Sequence, residues 1–212
     1  MRKKALILSV VSLFSLAIYA QETETLTTDD EPSEIKTIFG KIDHHGGYGS
    51  LNINYTSINN KDAMMLGSRG AWIIDHGFAI GMGGYGFFTD YYYDDNIGED
   101  VNISGGYGGL IMEPIFLPKF PIHLSVPLFV GVGGIGIINS SYIGDERDYY
   151  VEDSDTYFVL EPGIEIELNM LKFFRMAFSA YYRYTSDISL NNTNKDILHG
   201  FSTGLTLKFG SF

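Results

Sequence analysis

The chain has 212 residues, enough for one domain, and 26 Asp and Glu against 14 Lys and Arg give it a formal net charge of −12. This acidity disfavours nucleic acid as a partner, because phosphate binding needs a basic surface. The absence of Cys excludes disulfide and thiol chemistry, whereas 25 Gly with 15 Tyr and 15 Phe are typical of a strand-rich fold.

The first 20 residues have the layout of a secretory signal. Cationic residues from Arg2 to Lys4 precede an apolar run that ends at Ala20, and polar residues follow. We therefore predict that 1–20 is a signal peptide cleaved after Ala20, because the apolar run is short for a membrane helix of about 20 residues. Residues 21–40 are acidic and Thr-rich without apolar periodicity, which predicts a flexible lead.

From about residue 41 onwards, apolar and polar residues alternate with period two. In 157–168, one face carries Phe158, Leu160, Ile164, Ile166 and Leu168, and the other carries Tyr157, Glu161, Gly163, Glu165 and Glu167. In 173–185, Phe174, Met176 and Phe178 oppose Arg175, Ser179 and Arg183. A helix would mix the two sets, since it turns about 100° per residue, so the pattern predicts amphipathic strands.

Eight such segments follow one another, near 47–57, 63–74, 78–89, 101–112, 121–138, 156–168, 172–185 and 197–209. Tight links at 75–77 and 169–171 and a Pro-containing link at 114–118 alternate with long polar links at 90–100 and 139–155. Short turns at one end and long loops at the other are typical of an outer-membrane β-barrel with both chain ends in the periplasm. We predict an all-β, eight-stranded antiparallel transmembrane barrel over 41–212, with 21–40 as a periplasmic lead.

Aromatic residues on the apolar faces gather at the two ends of the segments. Trp72, Phe174 and Phe209 lie near the short turns, and Tyr55, Phe158, Tyr182, Tyr184 and Phe201 lie near the long loops. These positions predict two aromatic girdles at the membrane interfaces. A soluble lipocalin-like barrel also alternates, but it points its apolar face inwards and has no reason to carry two such belts.

The polar faces predict a charged network that fills the lumen, formed by Glu161, Glu165, Glu167, Arg175, Arg183 and Lys208. A tight turn at 169–171 would set Glu165 opposite Arg175, and Arg69 could extend the pair. The alternative is a hydrated lumen in which each charge is separately solvated. Side chains just fill a barrel of eight strands, so a pore is disfavoured.

In these features the chain resembles the small eight-stranded outer-membrane proteins of Gram-negative bacteria, such as outer membrane protein X and the barrel of outer membrane protein A. The resemblance covers about 41–212 and implies an outer-membrane location among lipids, as a monomer. Members of this group usually end on an aromatic residue in phase with the outward face. Here Phe209 is in phase and Phe212 is not, so either Phe209 is the last outward aromatic residue or a bulge near Gly210 restores the phase.

The two long links are strongly acidic. Residues 90–100 carry five carboxylates and no cation, and 139–155 carry six against Arg147, with Tyr residues between them. Such segments form a solvated surface, a Tyr-rich contact surface for an extracellular protein, or a ligand set for divalent cations such as Ca²⁺. The spaced D-x-D-x-D-G order of a calcium loop is absent, so no specific cation site is predicted.

Other motifs in the chain predict no catalytic centre. The G-x-G-x-x-G matches at 81–86 and 131–136 lack the following helix that a dinucleotide needs, so we expect no cofactor. His44 and His45 would point to opposite faces of a strand, so we expect no metal site. His199 and Ser202 lie near the outer end of the last segment and keep open an enzyme acting on lipid A. We expect a structural or surface-interaction protein, with that enzyme and a small porin-like pore as alternatives.

Overall fold

The computed structural model describes residues 44–94, 98–143, 146–191 and 193–212. The signal peptide and the acidic lead predicted for 1–20 and 21–40 lie outside these residues, as do short parts of the two long links. No helix in the described part of the chain is long and apolar enough to cross a bilayer.

Within the described residues the chain forms ten strands. They are β1 (His45–Ile58), β2 (Lys61–Ile74), β3 (Phe78–Thr89), β4 (Tyr92–Asp94), β5 (Glu99–Phe116), β6 (Ile122–Ser125), β7 (Leu128–Ile143), β8 (Glu146–Leu171), β9 (Phe174–Thr185) and β10 (Gly200–Ser211).

The strands close into a ring of eight antiparallel staves, where a stave is one strand of the barrel wall, continuous or interrupted. β1 pairs with β2 on one side and with β10 on the other, and the ring continues through β3, β5, β7, β8 and β9. β6 and β7 form one stave, interrupted at Val126 and Pro127 because proline has no N–H for the ladder. β4 adds a short edge to the outer end of β5. The predicted eight-stranded antiparallel barrel is confirmed.

Burial alternates along the staves and points the apolar face outwards. In β1, Ser50 and Asn52 are buried in the lumen, whereas Leu51 and Ile53 between them are more than half exposed. An outward apolar band around a polar interior is the arrangement of a barrel in lipid and the reverse of a soluble one.

Left-handed residues make the tightest turns. Asn59 and Asn60, with φ of 52° and 58°, join β1 to β2, and Asp75 and His76, with φ of 46° and 56°, begin the turn into β3. Asn and Asp tolerate positive φ, which a two-residue type I′ hairpin turn requires at both of its central residues. The β1–β2 turn lies at the end that carries the acidic links, so not every connection there is long.

Four predicted boundaries are wrong. The Pro-containing link predicted at 114–118 begins only at Leu117, because β5 continues to Phe116. The turn predicted at 169–171 lies at Lys172 and Phe173, because β8 continues to Leu171. The last strand begins at Gly200 and not at 197, and the predicted loop 139–155 is largely strand, because β7 and β8 continue outwards as a paired hairpin. Polar residues occupy both the odd and the even positions of that part of the sequence, so no alternation predicts strands there.

The displaced turn also changes the register between β8 and β9. Glu165 faces Ser179, and Arg175 faces Asn169, so the predicted direct pairing of Glu165 with Arg175 is wrong. In β10 the register with β1 is continuous through Gly210 to Ser211, without a bulge. Phe209 is therefore the last outward aromatic residue.

Candidate functional site

The periplasmic half of the lumen centres on the ammonium group of Lys208, which β10 directs inwards. Its Nζ lies 2.7 Å from Glu165 Oε2 and 2.6 Å from Glu167 Oε1, and it also contacts the carboxylate of Glu113. Carboxylate oxygens of the three Glu residues lie within 4.8 Å of one another, close enough to hold a metal ion. Lys208 places a cation among them and offsets their mutual repulsion.

Arg69 of β2 forms a second contact with the same group. Its Nη2 lies 2.5 Å from Glu165 Oε1 and donates to Tyr181 Oη at 3.1 Å and to Thr206 Oγ1 at 3.2 Å. Tyr181 in turn donates to Glu165. Gly163 makes this possible, because a Cβ at that position would lie 2.0 Å from the Tyr181 ring. Side chains of three strands, β2, β9 and β10, thus contact one carboxylate of β8.

Arg175 extends the network towards the periplasm. Its Nη1 lies 3.5 Å from Glu167 Oε2 and 3.3 Å from His123 Nε2, and that nitrogen lies 3.1 Å from the same carboxylate oxygen. The guanidinium carbon lies 3.9 Å from the centre of the Phe212 ring, a cation–π contact. Phe212 therefore packs at the inner mouth and not towards lipid.

The external half of the lumen holds one further pair of opposite charges among aromatic rings. Glu161 accepts a hydrogen bond from Tyr107 Oη at 2.8 Å. Arg183 Nε donates to the carbonyl of Leu198 at 2.9 Å, and its guanidinium lies 5.7 Å from the Phe87 ring and 6.0 Å from the Tyr107 ring. Neutral Tyr107 contacts both charged side chains, because its hydroxyl donates to Glu161 and its ring lies beside the Arg183 guanidinium.

Formal charges in the described lumen balance. Its buried carboxylates are Glu113, Glu161, Glu165 and Glu167, and its buried cations are Arg69, Arg175, Arg183 and Lys208. Such balance is what a dry interior needs, because an unpaired buried ion is costly. The structure brings together four of the six predicted network residues, Glu165, Glu167, Arg175 and Lys208, and leaves Glu161 and Arg183 in their own layer. Sequence analysis missed Glu113, which lies just beyond the predicted segment 101–112, and His123, which lies in the short strand β6.

The connection between β9 and β10 closes the external mouth. Ile188, Leu190, Ile197 and Leu198 are buried and pack against apolar residues at the outer ends of the staves, among them Ile58 and Val101. Two carboxylates of β8 hold this connection: Asp153 Oδ2 accepts from Asn191 N, and Asp155 Oδ2 accepts from Ser189 N, both at 2.7 Å. The hydrogen bond from Ser189 N, and then that from Thr156 N, lower the pKa of Asp155. The sequence analysis did not predict that this connection fills the external mouth, and we call it the external plug.

The eight predicted girdle residues lie on the outward face. They are Trp72, Phe174, Phe209, Tyr55, Phe158, Tyr182, Tyr184 and Phe201, each beside buried neighbours in its strand. Phe158 and Phe201 are 72% and 76% exposed. Phe174 stacks on Phe209 with ring centres 4.9 Å apart, and Tyr182 meets Phe201 edge to face at the same distance. Aromatic pairs of this kind suit an interface between lipid and water.

Histidines near the two ends take separate places. His44 stacks on His76 at 4.0 Å and His45 on Trp72 at 5.3 Å, so the adjacent pair diverges. His199 is half-buried and contacts the carbonyl of Thr185 at 2.9 Å, while Ser202 is buried in the lumen. The two residues considered for lipid A chemistry thus occupy opposite sides of the wall.

Comparison with solved structures finds similar proteins at low sequence identity. Neisserial surface protein A (NspA) aligns over 79% of this chain and 96% of its own, with a TM-score of 0.51 and 11% identity. Ail of Yersinia pestis, in complex with the heparin analogue sucrose octasulfate, aligns over 78% and 97%, with a TM-score of 0.48 and 10% identity. The N-terminal barrel domain of Pseudomonas aeruginosa OprF aligns over 78% and 96%, with a TM-score of 0.40 and 11% identity.

No family model and no curated protein sequence matches the chain. The closed ring of eight staves, the outward apolar band and the NspA likeness define the class: the chain has the fold of the small outer-membrane β-barrels. The apolar band together with this fold assigns it to the outer membrane.

Proposed function

We propose that the protein is a closed, monomeric outer-membrane barrel that makes surface contacts through its external β7–β8 hairpin. We also propose that residues 1–20 direct export and are removed, and that 21–40 remain as a periplasmic lead. The two aromatic girdles then contact lipid at the interfaces, as their outward positions favour.

The observation that carries this proposal is the length of β8. The strand has 26 residues, whereas a membrane crossing needs about 9–11 residues in a tilted strand. Among the β8 side chains whose exposure the structure describes, the regular outward apolar row begins at Phe158, and only Val151 is exposed before it. Residues 146–157 thus extend beyond this row and pair with the end of β7. A two-stranded extension of this length presents side chains on a more defined backbone than a free loop does.

The composition of the hairpin favours a protein partner with a basic surface. Residues 139–155 combine six carboxylates with Tyr142, Tyr149 and Tyr150. Tyr is enriched at protein interfaces, and an acidic patch steers association with a basic one. The same charge disfavours a sulfated saccharide such as the sucrose octasulfate in the Ail complex. Divalent cations are the other partner class that the acidic residues suggest.

The filled lumen supports a surface role over a pore. A charge-balanced layer around Lys208 fills the periplasmic half, and an apolar plug that includes Leu198 fills the external mouth. In planar bilayers the protein should therefore show no steady conductance above that of protein-free membrane. Stable unitary conductance would favour the pore instead.

Shortening the hairpin tests the surface role. Ser140 and Tyr149 face each other in register, so replacing 141–148 by Asn-Gly should close a two-residue turn there. A second test variant, of unchanged length, would carry Asn and Gln in place of the carboxylates of 141–148. With intact cells on immobilised basic extracellular-matrix proteins, we expect both variants to lose about tenfold in adhesion while the barrel stays heat-modifiable on gels. Adhesion equal to the unmodified protein in both variants would refute the role.

A further inference from the structure

A group of glycines leaves a depression in the outward face of three neighbouring staves, β3, β5 and β7. These glycines alternate with buried residues, so they occupy outward positions, and the wall there lies deeper by one side chain. The register sets them side by side, because Gly106 faces Gly86 on one side and Gly134 on the other. We call the set the glycine recess, and its members are Gly84, Gly86, Gly106, Gly108, Gly134 and Gly136.

Apolar side chains border the recess at both ends of its strands. Met82, Leu110 and Val132 are exposed on its periplasmic side, and Phe88 and Val151 are exposed on its external side. Towards β8 the recess opens into a cavity of about 650 Å³. Because the border belongs to the outward apolar face, the recess meets lipid in the membrane.

Asn102 places a polar atom without a hydrogen-bond partner at the external edge of the recess. It lies two residues before Ser104 on β5, so both side chains share the outward face, and its Nδ2 donates to Ser104 Oγ at 3.0 Å. Ser104 faces Gly136 of the recess. Asn102 is only 8% exposed, and its Oδ1 is buried without a partner among the described residues. Native proteins seldom leave such an acceptor unsatisfied, and hydrocarbon offers it no donor.

We propose that the glycine recess binds an acyl chain of an outer-leaflet lipid, and that Asn102 accepts a hydrogen bond from a hydroxyl or amide N–H near the polar end of that chain. Lipid tails are as apolar as the wall, so close van der Waals contact and hydrogen bonding supply the affinity. Glycine lets the chain approach the strand backbone, and three staves give a trough about 10 Å wide.

A second copy of the barrel fits the recess less well. The β7–β8 hairpin adjoins the recess at Gly136 and Val151, and 139–155 carries six carboxylates. Two recesses in contact would bring two such hairpins together, and like charges across an interface are costly. An uncharged acyl chain meets no such repulsion.

NMR of the full chain in phosphatidylcholine nanodiscs tests the site, which does not depend on the adhesion role. A neutral β-hydroxymyristoyl amide is titrated in, and methyl myristate, which has no donor, is the matched probe. We expect saturable shifts of the Gly106 and Gly134 backbone amides and of the Asn102 side-chain amide. Gly49 and Gly70, exposed glycines that face each other on β1 and β2, should not shift. Methyl myristate should bind about tenfold more weakly, because it leaves the Asn102 oxygen without a donor.

Gly134→Leu should weaken both probes by about tenfold or more, because leucine fills the recess. A Cβ there would lie 3.8 Å from its nearest neighbour, so the wall tolerates it. Gly70→Leu is the matched control, since a Cβ at Gly70 meets nothing within 4 Å and lies outside the recess. Asn102→Leu should bind the two probes equally, and heat-modifiable mobility shows that each variant is folded.

Three results would overturn the site. They are shifts that do not saturate or that appear equally at Gly49 and Gly70, equal affinity of Gly134→Leu and Gly70→Leu, and a preference between the probes that persists in Asn102→Leu. A dimer that Gly134→Leu abolishes would assign the recess to a second copy and overturn the lipid site as well.

Discussion

Lys208→Met should destabilise the barrel strongly, because the ammonium group is the common partner of three buried carboxylates. At an effective dielectric constant of about 20, each ionised pair at 2.6 Å or 2.7 Å is worth about 6 kcal/mol of Coulomb attraction. Desolvation of the ions offsets most of that attraction in the unmodified protein. Removal of the cation alone leaves the desolvation of the carboxylates uncompensated.

The substitution also exposes repulsion within the triad. Oxygens of Glu113, Glu165 and Glu167 lie within 4.8 Å, so each pair repels by about 3 kcal/mol at the same dielectric constant. Structural relaxation and water entry reduce these figures, and breaking a buried ion pair costs about 3–5 kcal/mol in practice. We expect a loss of that size in the free energy of unfolding.

Urea unfolding in detergent micelles, followed by the fluorescence of Trp72, the sole tryptophan, measures this loss. Lys195→Met is the control: its pair with Asp187, at 3.6 Å, is exposed, and such pairs contribute about 1 kcal/mol or less. Adding Glu113→Gln to Lys208→Met should recover about 1–3 kcal/mol, because it removes one of the stranded charges. A cost for Lys208→Met no larger than for Lys195→Met would refute the charge-balanced lumen and support separately hydrated charges.

Three further outcomes follow from the packing around the lumen. Gly163→Ala should displace the Tyr181 ring and destabilise the folded barrel by about 1–3 kcal/mol, the usual cost of overpacking, as measured by urea unfolding. An unchanged urea midpoint would contradict the close contact between Gly163 and the Tyr181 ring. Leu198→Ala should lower the free energy of unfolding by about 2–5 kcal/mol, because it leaves a cavity in the external plug. The same assay should detect this loss of stability, whereas truncation of an exposed leucine should not produce one. Because the pKa of Asp155 is lowered in the folded state, its contribution to stability is present above the ordinary pKa of 3.8 and is lost as pH falls through the lower folded-state pKa. The NMR shift of the Ser189 amide should titrate at that lower pH. Titration at pH 3.8 or above would contradict the hydrogen bond between Ser189 N and Asp155.

Local periodicity determined which side chains of each strand face the lumen and which face lipid. Successive side chains of a strand point to opposite sides, so Glu161, Glu165 and Glu167 had to share a face once 157–168 was a strand, and the apolar residues between them had to face lipid. These statements need only neighbours in sequence, which is why they survive without any knowledge of the closed ring.

The tertiary structure decided which residues meet across the lumen. Lys208 and Glu113 are 95 positions apart, and their meeting depends on the stagger with which the staves close, which no local pattern contains. A turn placed at 172–173 and not at 169–171 was enough to move Arg175 from Glu165 to the layer of Glu167. In the β7–β8 hairpin, polar residues occupy both alternating sets of the sequence, so no periodicity marks the strands there, and only the folded chain reveals them and the bulge at Glu152.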